Sequence, residues 1–322
     1  MGRYVVRRVL WAVFVLILIT MLTYVVFWVM PHTDPTEVFT HGASTQQASQ
    51  LMRTSLGLDR PWYVQYGIFL KHLVAGDQYG WPGLGFSVKT RQPLKPILES
   101  RLLVTAQLAA GAALVWLALG IPIGVMSAVR QRSLRDRFAL GFALIGVSAP
   151  VFWLGQMFLY AFWFKLKWAA GSGFYSVGRY GFLTWANHMI MPWVVLALLF
   201  AAFYARMARG NLIEVMSEDY IRTARAKGMS EAQVVLKHGM RAGLVPLVTM
   251  FGMDFGTLLG GAIITETVFN LPGVGQFAVT SVFGGDIYAV VDVTVLVGFF
   301  ITVANLLVDI AYAYLDPRVR YA

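Results

Sequence analysis

Apolar runs recur along this chain at the length of a bilayer crossing, and no other feature restricts its fold as strongly. Val9–Met30, Leu102–Val129, Phe138–Phe164, Leu244–Phe269 and Tyr288–Tyr314 are each dominated by aliphatic and aromatic residues. A helix needs about 18 such residues to cross the hydrocarbon layer. Met189–Tyr204 is a sixth, shorter run. In lipid each backbone N–H and C=O must find its partner inside the protein, which confines runs like these to helices. The pattern predicts an all-α integral membrane protein with six transmembrane helices. Composition agrees: 58% of the 322 residues are hydrophobic and 13% charged, where soluble domains carry about a quarter charged residues.

The net charge of +10 is read as topology, not as nucleic-acid binding. Of the 26 Lys and Arg, 16 fall before the first run, between the second and third, between the fourth and fifth, and after the sixth. Cytoplasmic loops hold such an excess, so both termini are expected in the cytoplasm, which an even number of spans allows. Pro31–Arg101 holds 7 more, but long translocated segments escape the rule. The chain thus divides into a cytoplasmic N-terminus and first span (1–30), an external subdomain (31–101) and a core of five spans (102–322) with a cytoplasmic loop at 206–243. The first run is too long for the apolar part of a signal peptide, and no A-x-A site follows it.

Within the external segment, Ser44-Thr45-Gln46-Gln47 has capping-box form and opens a short helix through Leu51 and Met52. Asp59-Arg60-Pro61 opens another, with Trp62, Tyr66, Phe69 and Leu73 along one side. Glycines between Gly76 and Gly85 then break regularity. Pro150 predicts a kink in the third span.

Ser217–Pro246 is polar and charged between two apolar runs. Ser217 is a candidate N-cap, and Glu218 and Asp219 lie in the first turn, where the helix dipole favours anions. Arg222, Arg225 and Lys227 gather at the other end, and Gly228 supplies a stop that tolerates positive φ. Ser230-Glu231-Ala232-Gln233 is a second capping box. Two short helices joined at a glycine are expected. Their small apolar side, Tyr220, Ile221 and Ala224, fits either a knob docking in a groove of another protein or a solvated loop with helical content.

Gly252, Gly256 and Gly260 recur every four residues, a spacing that lets another helix approach closely, within one subunit or between two. Asp254 lies about ten residues into the fifth span, with no Lys or Arg between 242 and 317 to pair with it. An ionised group there is costly. It points to an aqueous path, a polar neighbour on another subunit, or a protonated acid. Glu266 and Asp292 are the other acids considered for a translocation path, although hydrogen bonding within the structure suits Glu266 and Asp309, which sit nearer the membrane ends. His188 opens the fourth span in a capping or interfacial position.

Asp219–Gly228, followed by His238, Arg241 and Pro246, resembles the EAA loop of ABC-transporter permeases, in particular the first of the two permease subunits of the dipeptide/oligopeptide/nickel import family. Further matches are Gly85-Phe86-Ser87, Arg206-Met207-Ala208-Arg209, Gly256–Phe269 with Pro272-Gly273-Val274-Gly275, and Asp316-Pro317-Arg318. Gly239-Met240 and Ala242, the stretch Gln78–Leu84, Asp254 and Asp292 depart from the family pattern. The resemblance implies a coupling helix (Asp219, Tyr220, Ile221, Arg222, Ala224, Arg225, Lys227 and Gly228) that seats in a cytoplasmic ATPase. It further implies a second, similar permease, two ATPase subunits carrying ATP and Mg, an external substrate-binding protein, and peptide cargo moved by alternating access across a bacterial inner membrane. Nickel or another small solute, or an ATP-independent channel or carrier, are the alternatives.

No catalytic site or cofactor is expected in this chain. It has no cysteine, no G-x-x-x-x-G-K-[ST], no H-E-x-x-H and no G-x-S-x-G. Its 5 histidines have no metal-ligand spacing.

Overall fold

The computed structural model describes residues 2–29, 60–87 and 89–315, and every regular element among them is helical. The expected helix at Ser44, residue Asp59 and the C-terminal Asp316–Arg320 lie outside the described residues. Helix α1 (Gly2–Tyr24) runs on through a π-helical turn, Val25–Val29. It is followed by α2 (Trp62–Ala75), α3 (Leu94–Val129), α4 (Leu134–Ser148) and α5 (Val151–Phe158), which continues through Leu159–Lys165. After the short α6 (Val177–Tyr180) come α7 (Phe182–Val215), α8 (Asp219–Ala226) and α9 (Glu231–Gly243). The chain then forms α10 (Val245–Leu259), α11 (Ile263–Val268), α12 (Val274–Phe283) and α13 (Ile287–Leu315).

Among the described residues, 4 helices are long and apolar enough to cross a bilayer: Gly2–Trp28, α3, α7 and the Ile287–Ala311 part of α13. A fifth arises if α9 and α10, which meet at a 50° bend beside Pro246, are taken together. The third expected span is divided, not merely kinked. Pro150 has no N–H to continue the ladder, so α4 stops at Ser148 and α5 starts afresh. The fifth is interrupted too: α10 stops at Leu259, Gly261 takes φ +118°, and α11 restarts at Ile263. Conversely, α3 and α7 outrun the apolar stretches that announced them, because their polar ends stay helical where they pack on neighbours.

The core forms where α3 and α7 cross, the most extensive helix contact in the fold. Small residues permit it: a methyl on Gly120 would sit 2.9 Å from the Ala201 carbonyl oxygen, one on Gly124 2.7 Å from the Ala208 Cβ, and one on Gly111 would overlap the Trp193 ring. Leu108, Trp116, Met189 and Val195 are fully buried there.

Helix α13 packs against both α10 and α1. Arg8 pairs with Asp309 at 3.0 Å near one end of α1, and the rings of Trp28 and Tyr288 lie 4.8 Å apart near the other. These two helices are therefore antiparallel, and the start of α1 and the end of α13 share one end of the bundle. Asp309 has the structural role expected of it.

The glycine seam closes within this chain. Gly252, Gly256 and Gly260 face Val308, Ala304 and Val297 of α13; a methyl on Gly260 would lie 2.7 Å from Val297 Cγ1, and one on Gly256 would overlap Ala304. Gly256→Ala is expected to lower the midpoint of thermal unfolding, at a cost of about 1–3 kcal/mol for overpacking. The double variant with Ala304→Gly should recover most of that loss. An unchanged midpoint in Gly256→Ala would contradict the close contact.

Candidate functional site

At the end of the bundle where α13 finishes, α8 and α9 form a helical hairpin. Glu218 holds the extended N-cap conformation, and Ser217 instead donates to the Glu214 carbonyl at 2.6 Å. Gly228 has φ +79°, and a Cβ there would meet nothing within 4 Å, so backbone conformation alone favours glycine. Ser230 caps α9 as expected, its Oγ accepting from the Gln233 N–H at 3.4 Å. The Arg225 guanidinium spans the turn as a fork, Nε to Glu231 Oε1 at 2.7 Å and Nη2 to Oε2 at 3.3 Å. Arg222 reaches Asp219 at 3.2 Å.

The apolar side of α8 is divided between two surfaces. Ile221 and Ala224 are buried in this chain, against Val234 with Met216 and Met229. Tyr220 stays exposed, with Asp219, Arg222, Arg225, Lys227 and Gly228. The expectation that Tyr220, Ile221 and Ala224 together fill a partner's groove is corrected here: Val234 covers Ile221 and Ala224, and of the three only Tyr220 stays exposed. The next residue, Val235, packs on Ala128 of α3 and Leu212 of α7. The hairpin is thus joined side chain by side chain to the two longest helices of the bundle.

Beside it lies a cluster that sequence reasoning missed. Asp136 is buried and receives Arg209 in a fork, Nε to Oδ1 at 2.8 Å and Nη2 to Oδ2 at 3.1 Å. It also accepts from Ser127 Oγ and, at 2.8 Å, from the Arg132 N–H. Asp136 precedes the third apolar run. Its hydrogen bonds from Arg209 first and Ser127 second hold its carboxyl well below the usual range. The cluster ties together the ends of α3, α4 and α7. A lone acid within the basic stretch Arg130–Arg137, with Arg209 in the R-M-x-R motif, was the available signal.

Mid-bundle, Asp254 has a partner in its own chain: Tyr204 Oη donates to its Oδ2 at 2.8 Å. Trp116 stacks on Phe200 at 4.7 Å and lies 6.0 Å from the Tyr204 ring. Nothing in the sequence links positions 50 residues apart on different helices.

The other two acids considered for a path are not alike. Glu266 is fully buried, accepts from Thr105 Oγ1 at 2.8 Å and from the Gln276 N–H at 2.8 Å, and so lines no open space. Thr105 in turn accepts from the Val274 N–H at 2.9 Å, and the bare Cα of Gly273 leaves room for the carboxylate. Glu266 thereby braces α11 and α12 against α3. Asp292 lies on a cavity at the opposite end of the bundle from the hairpin. His188 Nδ1 meets the Thr184 carbonyl at 2.9 Å, and its ring lies tilted against that of Tyr175 with centroids 4.0 Å apart.

A bundle of long apolar helices that carries a charged helical hairpin at one end has the form of a membrane subunit of a transporter. The family comparison agrees. Residues 120–321 match the model described as the binding-protein-dependent transport system inner membrane component, and residues 1–109 match its N-terminal companion. The chain belongs to that family and is a multi-pass inner-membrane protein. It is 34% identical over 321 residues, the full length of both chains, to a probable peptide ABC transporter permease of Sinorhizobium fredii. It is 34% identical to the dipeptide transport system permease DppB of Alkalihalophilus pseudofirmus, covering 99% of each chain, and 36% identical over the full length of both to the glutathione transport system permease GsiC of Escherichia coli. Among solved structures, a chain of the MetNI methionine ABC transporter in an inward-facing conformation superposes with TM-score 0.53 at 19% identity, covering 69% of this chain and 98% of that one. That likeness concerns the fold.

Proposed function

We propose that this chain is the first of two permease subunits of a binding-protein-dependent ABC importer of peptides. Two cytoplasmic ATPase subunits would carry ATP and Mg, and an external binding protein would deliver the cargo. The observation that carries the reading is the hairpin, whose exposed charged face and Tyr220 leave a docking surface while Ile221, Ala224 and Val234 connect it to Val235, Leu212 and Ala128. A rigid push on α8 is thereby passed to α3 and α7, the motion alternating access requires. The cargo reading rests on the full-length relatives, named for peptide, dipeptide and glutathione transport. The broken segments α4 and α5 together form the sixth crossing, and both termini face the cytoplasm with the hairpin.

The test is ATP turnover by the complex purified through a tag on this chain, with each candidate peptide presented by its binding protein. Co-purifying ATPase subunits and stimulation by a peptide are expected. A chain that purifies alone and still transports would refute the reading and favour a channel or carrier. Asp254, whose hydrogen-bond partner among the described residues is the neutral Tyr204 hydroxyl, is assigned to the cargo's amino group. In Asp254→Asn the preference for peptides with a free over an acetylated amino terminus should fall by about tenfold; an unchanged preference removes that role.

A further inference from the structure

At the end of the bundle away from the hairpin, a cavity of about 530 Å³ opens between α1, α2, the loop before α3 and the start of α13. That size lies within the range of small-molecule sites, about 300–1,000 Å³. Its walls are aromatic: Trp28 and Tyr288 meet edge to face at 4.8 Å, Phe86 stacks on Tyr288 at 6.0 Å, and Tyr24 stands beside them. Two carboxylates reach it. Asp77 is committed to its own loop, accepting from the Tyr79 N–H at 2.7 Å and the Gly85 N–H at 2.8 Å. Asp292 is different: the residue is 5% exposed, and its buried Oδ2 has no hydrogen-bond partner among the described residues. No Lys or Arg lines the cavity among the described residues.

A buried carboxylate oxygen without a partner is costly, and a cation brought against it relieves that cost. The faces of aromatic rings attract cations as well. A hard metal ion would ask for several oxygen ligands, which one uncommitted carboxylate among rings does not offer. The residues therefore fit a cation with an apolar body. Gln78, Tyr79, Gly83 and Leu84, from the stretch that departs from the family pattern, complete the rim around Asp292, a second departure.

We propose that this cavity binds an organic ammonium group, the charge against Asp292 and the alkyl or aryl body against Trp28, Phe86 and Tyr288. The site is independent of the cargo reading and of Asp254.

The test uses the full chain in its purified complex, held in lipid nanodiscs, with phenethylammonium and its neutral counterpart 2-phenylethanol as probes in titration calorimetry. Saturable binding of the ammonium is expected, tighter than the alcohol by about tenfold. Asp292→Asn should erase that difference, and Trp28→Ala should weaken both probes, which share the body that packs on that ring. Should Asp292→Asn fail to fold, the comparison of the two probes on the unaltered chain decides. Equal affinity for both probes, no saturable binding of either, or ammonium affinity unchanged in a folded Asp292→Asn would each overturn the proposal.

Discussion

Gly228→Val is expected to leave ATP hydrolysis running while peptide uptake in proteoliposomes falls sharply. The glycine joins α8 to α9 with φ +79°, a conformation that costs an ordinary L residue about 1–2 kcal/mol and a β-branched one more. Space is not the obstacle, because an added Cβ would touch nothing within 4 Å. The strain is torsional and is relieved by rotating α8 away from α9, which separates Ile221 and Ala224 from Val234 and strains the Arg225–Glu231 fork. A penalty of 1–2 kcal/mol is about a 5–30-fold shift in population, so uptake per ATP hydrolysed should fall by about that factor. Asparagine tolerates positive φ, and Gly228→Asn should therefore retain most of the coupling. Equal loss in both variants would mean that the site is filled by a partner rather than constrained by its backbone; normal coupling in Gly228→Val would dismiss the hinge altogether.

Removing the Glu266 side chain should have the largest effect on stability. In Glu266→Ala the fully buried Thr105 hydroxyl and the partly buried Gln276 N–H lose their acceptors. Each orphaned group costs about 1–3 kcal/mol, and a cavity is left as well, so a loss of about 3–6 kcal/mol is expected. Glu266→Gln keeps one carbonyl acceptor but sets an amide donor against the other partner, and its loss should be smaller. Thermal unfolding of the purified complex measures both. A stable Glu266→Ala with altered peptide selection would return Glu266 to the translocation path.

Several features were legible before any coordinates because they are local. An apolar run long enough to cross a bilayer has few options, and capping residues act within a turn of where they stand. The break at Gly228 and the cap at Ser230 are of this kind. Span continuity was less legible: Pro150 announces irregularity, the run Leu244–Phe269 reads as continuous, and whether a helix bends or stops depends on what packs beside it. Ser217 shows the same limit, since Glu218 takes the cap and Ser217 turns back to its own helix.

What this chain's sequence determined by itself was its class: apolar helices, the bias of positive charge to one side, and a capped, charged pair of helices between the fourth and fifth runs. These follow from hydrophobicity, backbone pairing and local hydrogen bonding, all read within a few residues. Only the tertiary structure decided that the Gly252–Gly260 seam closes on α13, that Tyr204 partners Asp254, that Arg209 grips Asp136, and that Ile221 and Ala224 face inward. Each of those joins residues distant in sequence. Helical periodicity says which residues share a face, and the crossing of helices in space says what that face meets.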